Sequence, residues 1–164
     1  MVTGNGDHIR AVSSFRNRAA RAGHMIEEYV DAFQTLVDQA ESTTGITVPW
    51  ELKQYTVAVL AHYLDKPDVT LGKTFAELWL TADTVQDCKT VGDQALVVSG
   101  AWPKYRLHRG VNREYVSRIG ASAYARCGRE PFSTLGRHFG VVRELVAVTV
   151  NQDRQERVKW VLAD

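Results

Sequence analysis

Apolar residues recur at alternating intervals of three and four along most of this chain, which is the spacing of one face of an α-helix. No stretch has the paired strands of a hairpin or the strand–helix alternation of a βαβ unit. The sequence therefore predicts an all-α fold, an irregular bundle of six or seven helices joined by short loops. The clearest apolar stripes are Ile26–Ala40, Leu52–Tyr63, Cys88–Trp102 and Phe132–Val146.

Residues typical of helix ends mark the predicted boundaries. Thr74 and Thr84 each precede an acid by three residues, the spacing of a capping box, and Asn112 is a further candidate cap. Asn151–Asp153 is a candidate break near the end of the chain. The predicted helices cover residues 24–41, 49–64, 75–79, 85–102, 113–127, 131–150 and 154–162.

The composition is that of an ordinary globular chain. A length of 164 residues with 45% apolar and 24% charged residues suits a single helical domain, which we place at residues 23–164. Residues 1–22 are expected to form a basic N-terminal arm. We find no apolar run long enough for a membrane span and no apolar stretch of a secretory signal. We therefore expect a soluble, cytoplasmic protein without a cofactor.

Small residues are dense in the predicted helices of the second half. Glycine inside a helix costs about 1 kcal/mol relative to alanine, so a group of glycines needs a physical reason. Close approach between two helices, or between a helix and a ligand, is the expected reason. The small residues concerned are Gly92, Ala95, Ser99, Gly100, Gly120, Ala121, Ser122, Ala123, Ala125, Gly136 and Gly140.

Part of this region resembles a known group of proteins. The run from Val91 to Leu96, followed by Ser99-Gly100, Tyr115, Gly120 and Ala123-Tyr124, is similar to a pattern in small uncharacterised bacterial helical proteins. The resemblance covers roughly residues 85–146. It implies a bacterial source and a helical fold, and it transfers no activity and no functional residue.

Asp93 stands beside Gly92 among residues that we expect to be buried. A buried carboxylate must be paired or hydrogen-bonded. We expect its partners to be Arg118 and the hydroxyls of Tyr115 and Tyr124, which together with Ser99 would form a buried polar cluster. A structural ion pair or a capping contact is the favoured interpretation, and a catalytic acid is the alternative.

No constellation of catalytic or metal-binding residues stands out. The five histidines are scattered, and neither a His-x-x-x-His pair nor a Cys-x-x-Cys pair is present, so no metal site is predicted. Cys88 and Cys127 are expected at the same end of two neighbouring helices. Two independent buried thiols are the favoured interpretation, with a disulfide as the alternative. The sequence nominates no catalytic group.

Charges are unevenly distributed along the chain. Residues 25–90 carry eleven acids and four lysines, a net charge of −7, whereas residues 103–130 carry seven bases and two acids, a net charge of +5. In one interpretation the two halves satisfy each other within the molecule. In a second the opposite charges meet in a homodimer or in a complex with a charged partner. In a third the basic segment binds nucleic acid.

These patterns lead to three functional hypotheses. The first is a non-enzymatic regulatory module that binds a protein partner or itself through Lys104, Arg106, Arg109 and Arg113. The second is a nucleic-acid-binding regulator that uses the arginine-rich segment 104–129. The third is a small-ligand receptor or enzyme with a pocket between the fourth and fifth helices, near the residues Asp93, Ser99, Tyr115 and Tyr124.

Overall fold

The computed structural model describes residues 26–64, 66, 68–102 and 111–161, with the side chains of 26–28 and 153–161 excepted. These residues form seven helices and no strand, so the all-α prediction is confirmed. The predicted arm, residues 1–22, lies outside the described residues. The helices are α1 (Ile26–Thr44), α2 (Trp50–Tyr63), α3 (Phe75–Leu80), α4 (Val85–Gly100), α5 (Arg113–Arg126), α6 (Phe132–Arg137) and α7 (Phe139–Val161).

The predicted caps begin three of the helices. Thr74 and Thr84 both form complete capping boxes, in which the threonine hydroxyl accepts from the backbone of Glu77 or Asp87 and that acid accepts from the threonine N–H. Asn112 Oδ1 accepts from the backbone N–H of Tyr115 at 2.8 Å. These bonds satisfy N–H groups that lack an intrahelical partner, which is why local sequence located these helix starts correctly.

The predicted helix that opens at Pro131 is divided at His138. His138 has φ −110° and ψ 21°, outside the helical region, and it separates α6 from α7. The division leaves the apolar stripe in place, because Phe132, Leu135, Phe139 and Val142 are all buried. The expected break at residues 151–153 is wrong. Polar residues do not by themselves end a helix, and the backbone continues to Val161.

Helix α4 lies at the centre of the bundle. It packs most extensively against α5 and also contacts α2, α3 and α7. The sequence predicted one buried face, yet all residues from Val91 to Gly100 are buried. Neighbours on several sides enclose this part of the helix, so its polar side chains must find partners inside the protein. In the part of the chain that the structure describes, no helix has both the length and the apolar character to cross a membrane.

Candidate functional site

Asp93 lies in the core, with only 3% of its surface exposed. Its Oδ1 accepts hydrogen bonds from the hydroxyl of Tyr55 at 2.5 Å and from that of Tyr124 at 2.8 Å. Its Oδ2 lies 3.0 Å from Nζ of Lys89, one helical turn earlier in α4. The carboxylate thus joins α2, α4 and α5, and donors satisfy both of its oxygens.

Aromatic rings surround this network. Tyr55 packs edge-on against Phe132 with ring centroids 5.3 Å apart, and Tyr124 stacks on Phe132 at 6.1 Å. Nζ of Lys89 lies 5.5 Å from the centre of the Tyr55 ring, within the range of a cation–π contact. The charge of Asp93 is therefore compensated by a lysine that is itself held by the aromatic cluster.

The expected partners of Asp93 were only partly correct. Tyr124 binds Asp93 as expected, whereas Tyr115 is 40% exposed and Arg118 is also exposed. Tyr115 and Tyr124 are nine residues apart, which places them about 180° apart around a helix, so both cannot face α4. The spacing of the two tyrosines in the sequence could therefore have excluded Tyr115 as a partner of Asp93. Tyr55 was expected only as an apolar contact, and its hydroxyl was overlooked as a donor.

Close helix packing accounts for three glycines in the second half of the chain. A Cβ on Gly92 would lie 2.5 Å from the ring of Tyr124, and one on Gly120 would lie 2.5 Å from the ring of Phe139. A Cβ on Gly100 would collide with Val146. Protein side chains thus fill the space beside these glycines, from α5 at Gly92 and from α7 at Gly100 and Gly120. This supports helix packing over a ligand site there.

The glycines Gly136 and Gly140 differ in how closely other atoms pack against them. A Cβ on Gly136 would lie 2.9 Å from the carbonyl oxygen of Ala121, so α6 approaches the backbone of α5 closely. A Cβ on Gly140 would meet no atom within 4 Å. The expectation of tight contact is therefore correct for Gly136 and wrong for Gly140.

Ser99 and Arg113 connect the end of α4 to the start of α5. Ser99 is buried and its hydroxyl donates to the carbonyl of Ala95 at 2.6 Å. Arg113 donates from Nε to the carbonyl of Ser99 at 2.8 Å, and its guanidinium lies 3.1 Å from a carboxylate oxygen of Glu144. Arg113, predicted to bind a partner, therefore takes part in internal contacts. The other predicted partner-binding residues, Lys104, Arg106 and Arg109, lie outside the described residues.

A cavity of about 330 Å³ opens between the end of α4 and the middle of α7. It lies at Gly100, beyond the Asp93 network, and Asp93, Ser99, Tyr115 and Tyr124 are not among its lining residues. This cavity therefore lies at a different position from the pocket predicted near those residues, which stays a prediction. The lining residues are Gly100, Ala101, Trp102, Ala147, Val148, Val150 and Asn151.

Both cysteines are free and buried. The thiol of Cys127 lies 3.5 Å from the carbonyl oxygen of Ala123 and 3.8 Å from that of Val85. Burial, with a smaller effect of Cys88, raises the pKa of the Cys127 thiol, which disfavours the reactive thiolate. Within the described residues, no three His, Cys, Asp or Glu side chains are grouped so that they could hold a metal ion.

Alkaline pH is expected to destabilise the fold through Tyr55 and Tyr124. Burial, followed by the negative charge of Asp93, raises the pKa of both hydroxyls well above the ordinary value of 10.0. Below pH 10 both the folded and the unfolded chain hold these protons. Above it the unfolded chain releases them first, so the unfolding free energy falls by at most about 1.4 kcal/mol per pH unit for each tyrosine.

Urea denaturation at a series of values between pH 8 and pH 11.5 measures this loss. Tyr124→Phe is expected to reduce the slope, because it removes one of the two titrating groups. Phe139→Leu is the matched control, since it perturbs a ring that packs against Tyr124 and removes no proton. Equal slopes for the wild type and Tyr124→Phe would contradict this assignment.

None of the ion pairs between described side chains connects residues 25–90 with residues 103–130. Lys53 of α2 pairs with Asp38 and Glu41 of α1. In the second half, Arg143 of α7 lies 2.8 Å from a carboxylate oxygen of Glu114, beside the contact of Arg113 with Glu144 described above. These pairs therefore connect α1 with α2 and α5 with α7.

Two leucines are almost fully exposed in the acidic half. Leu71 is 80% exposed in the turn before α3, and Leu80 is 79% exposed at the end of α3.

Comparison of the chain with protein-family models, with curated proteins and with solved structures finds no match. The contacts and the exposed surface of this chain are therefore the basis for a functional proposal.

Proposed function

We propose that this chain is a helical interaction module that acts by binding another protein, or a second copy of itself, rather than by catalysis. The single observation that carries the proposal is Leu71, a large apolar side chain that is 80% exposed. Its φ of 55° lies in the left-handed region, which costs a leucine roughly 1 kcal/mol. An exposed apolar residue in a costly conformation favours a role in contact with a partner.

The turn around Leu71 is held by several hydrogen bonds. The backbone N–H of Lys73 donates to the carbonyl of Thr70 at 3.2 Å, which closes the turn across Leu71 and Gly72. Asp68 Oδ1 accepts from both the N–H and the hydroxyl of Thr70, each at 3.1 Å. A side chain presented by a pre-ordered turn loses little conformational freedom on binding, which favours association.

The surroundings of the two leucines indicate the kind of partner. Asp68 and Asp83 are exposed near them in sequence, and Leu80 adds a second exposed apolar side chain. Lys73 of the same turn is also exposed, so a complementary surface would offer an apolar pocket bordered by charged side chains of both signs. Opposite charges at the rim orient the two proteins. This proposal places the partner contact on the acidic half, in addition to the basic loop expected from the sequence.

One further observation supports binding rather than catalysis, and a second supports the cytoplasm as the location of this protein. Asp93, the candidate catalytic acid, has both carboxylate oxygens occupied by donors of the protein itself. Cys88 and Cys127 are free thiols, as is usual in a reducing compartment.

Replacement of Leu71 tests the proposal. Proteins that co-purify with the tagged full chain are purified singly and titrated against it. Leu71→Asn is expected to weaken binding of such a partner about tenfold or more, because it removes an apolar anchor. Asparagine tolerates the left-handed conformation, so the turn and the fold are expected to persist.

Lys73→Ser is the matched control, since it changes an exposed side chain of the same turn and keeps the backbone bond to Thr70. It is expected to leave the affinity unchanged. If Leu71→Asn and the wild type bind the same purified proteins with equal affinity, the proposal is wrong.

A further inference from the structure

One end of the bundle brings the connection between α3 and α4 next to the C-terminal end of α5. The guanidinium carbon of Arg126 lies 4.9 Å from the centre of the Trp79 ring. The thiol of Cys127 lies 3.8 Å from the carbonyl oxygen of Val85. Residues that are 40 or more positions apart in sequence therefore share one surface. We call this surface the charge-split end and define it by Leu80, Asp83, Val85, Arg126 and Arg129.

The charge-split end carries apolar, acidic and basic groups side by side. Leu80 and Val85 are exposed apolar side chains. Asp83 is an exposed acid on the α3–α4 side, and Arg126 and Arg129 are exposed bases on the α5 side. Apolar contacts with separate acidic and basic groups around them have the composition of a protein-binding surface.

Asp83 and Arg129 have no ion pair within the part of the chain that the structure describes, and Arg126, also without one, places its guanidinium over the Trp79 ring. Neighbouring acids are occupied, since Asp87 caps α4 and Glu130 accepts from Thr134 and lies 3.8 Å from Arg137. By contrast, neither the carboxylate of Asp83 nor the guanidinium of Arg129 forms such a pair. These two groups are free to pair with a docked molecule.

We propose that a second copy of this chain docks on the charge-split end about a twofold axis, with Asp83 of each copy against Arg129 of the other. In a twofold contact the same patch meets itself, so it must contain both members of each pair. A patch with acid on one side and base on the other meets this condition. The inference rests on the proposed function, and it assigns a second copy to this end of the bundle, a surface that does not include Leu71.

The same arrangement disfavours a nucleic acid as the occupant. Nucleic acid backbones are bound by uniformly positive surfaces, and the acids Asp83 and Asp87 at this end would repel the phosphates. The two apolar side chains of the patch bury less than the roughly 800 Å² per partner of a stable interface. We therefore expect a weak dimer whose formation depends on salt, since exposed charges are screened at high ionic strength.

Sedimentation velocity on the full chain over a range of protein concentrations tests the proposal. The average mass is expected to rise from that of a monomer towards that of a dimer at about 0.05 M salt, and to fall back at about 0.5 M. Asp83→Arg and Arg129→Asp are each expected to weaken self-association about tenfold, because each places like charges opposite one another.

The two variants together provide the decisive measurement. An equimolar mixture of Asp83→Arg and Arg129→Asp is expected to form a mixed dimer, since both cross pairs then join opposite charges. Arg118→Asp is the matched control, because it makes the same change of charge at an exposed arginine of α5 outside the charge-split end. It is expected to leave the association unchanged.

Several results would overturn the proposal. A wild-type chain that stays monomeric at every concentration in low salt excludes the dimer. If Arg118→Asp and Arg129→Asp weaken self-association equally, the dimer does not use this surface. The same conclusion follows if an equimolar mixture of Asp83→Arg and Arg129→Asp stays monomeric. If the wild-type chain is a monomer that binds a short DNA duplex, and Arg129→Asp abolishes that binding, the charge-split end is a nucleic-acid-binding surface instead. In each case the Leu71→Asn titration still tests separately whether this chain binds a protein partner through Leu71.

Discussion

Gly120→Ala is expected to lower the unfolding free energy by about 2 kcal/mol, although alanine is the better helix former. The added Cβ would lie 2.5 Å from the Phe139 ring and 2.7 Å from Cβ of Ala95. Both neighbours are buried, so neither can move away without disturbing the core. Urea denaturation of the variant and the wild type, followed by circular dichroism, measures the change.

Gly140→Ala is the matched control for this prediction. It makes the same chemical change in α7 at a position where a Cβ would meet no atom within 4 Å. It is expected to raise the unfolding free energy by roughly 0.5 kcal/mol, because alanine loses less backbone freedom on folding. Equal effects of the two substitutions would show that the α4–α5–α7 contact is looser than the structure indicates.

Asp93→Ala is expected to lower the unfolding free energy by about 4 kcal/mol. The substitution leaves the hydroxyls of Tyr55 and Tyr124 and the ammonium of Lys89 without their common acceptor. The buried hydroxyl of Tyr124 would then lack the hydration that it had in the unfolded chain, and the half-buried Tyr55 and Lys89 would lack part of theirs. Asp93→Asn is expected to cost less, since its amide oxygen can still accept from the tyrosines.

A double-mutant cycle separates the network from simple loss of packing. Tyr124→Phe alone is expected to cost about 1.5 kcal/mol, the contribution of a hydrogen bond to a charged acceptor. In the Asp93→Ala background it is expected to cost much less, because the hydroxyl has already lost that acceptor. Additive effects of the two substitutions would contradict the hydrogen bond as the source of the stability.

The Asp93 network shows how far local patterns reach. The small residues around Asp93 and its need for a partner were predicted, and Tyr124 was among the expected donors. Tyr55 was missed, because it is 38 residues from Asp93 and nothing in the sequence places α2 against α4, whereas a short loop makes α5 the neighbour of α4. Apolar spacing indicates which face of α2 is buried, and it does not indicate which helix that face meets.

The errors in the helix assignment have a related cause. His138 lies between Gly136 and Gly140, both poor helix formers, yet a continuous apolar stripe predicted an uninterrupted helix. The stripe persists because a one-residue break allows Phe139 to pack against Gly120. Similarly, the apolar stripe of α4 indicated one buried face, whereas the helix is enclosed on several sides from Val91 to Gly100. Its burial follows from the helices around it, which no periodicity within α4 can reveal.

The sequence by itself determined the helices and most of their starts, because caps such as Thr74, Thr84 and Asn112 act within a single turn. Only the tertiary structure decided which side chains meet. It placed Asp93 between two tyrosines and turned Tyr115 and Arg118 outward, and it joined Trp79 to Arg126 at one end of the bundle. The physical reason is that hydrogen bonds within a helix depend on neighbours in sequence, whereas buried pairs and surface patches depend on how helices are rotated against each other.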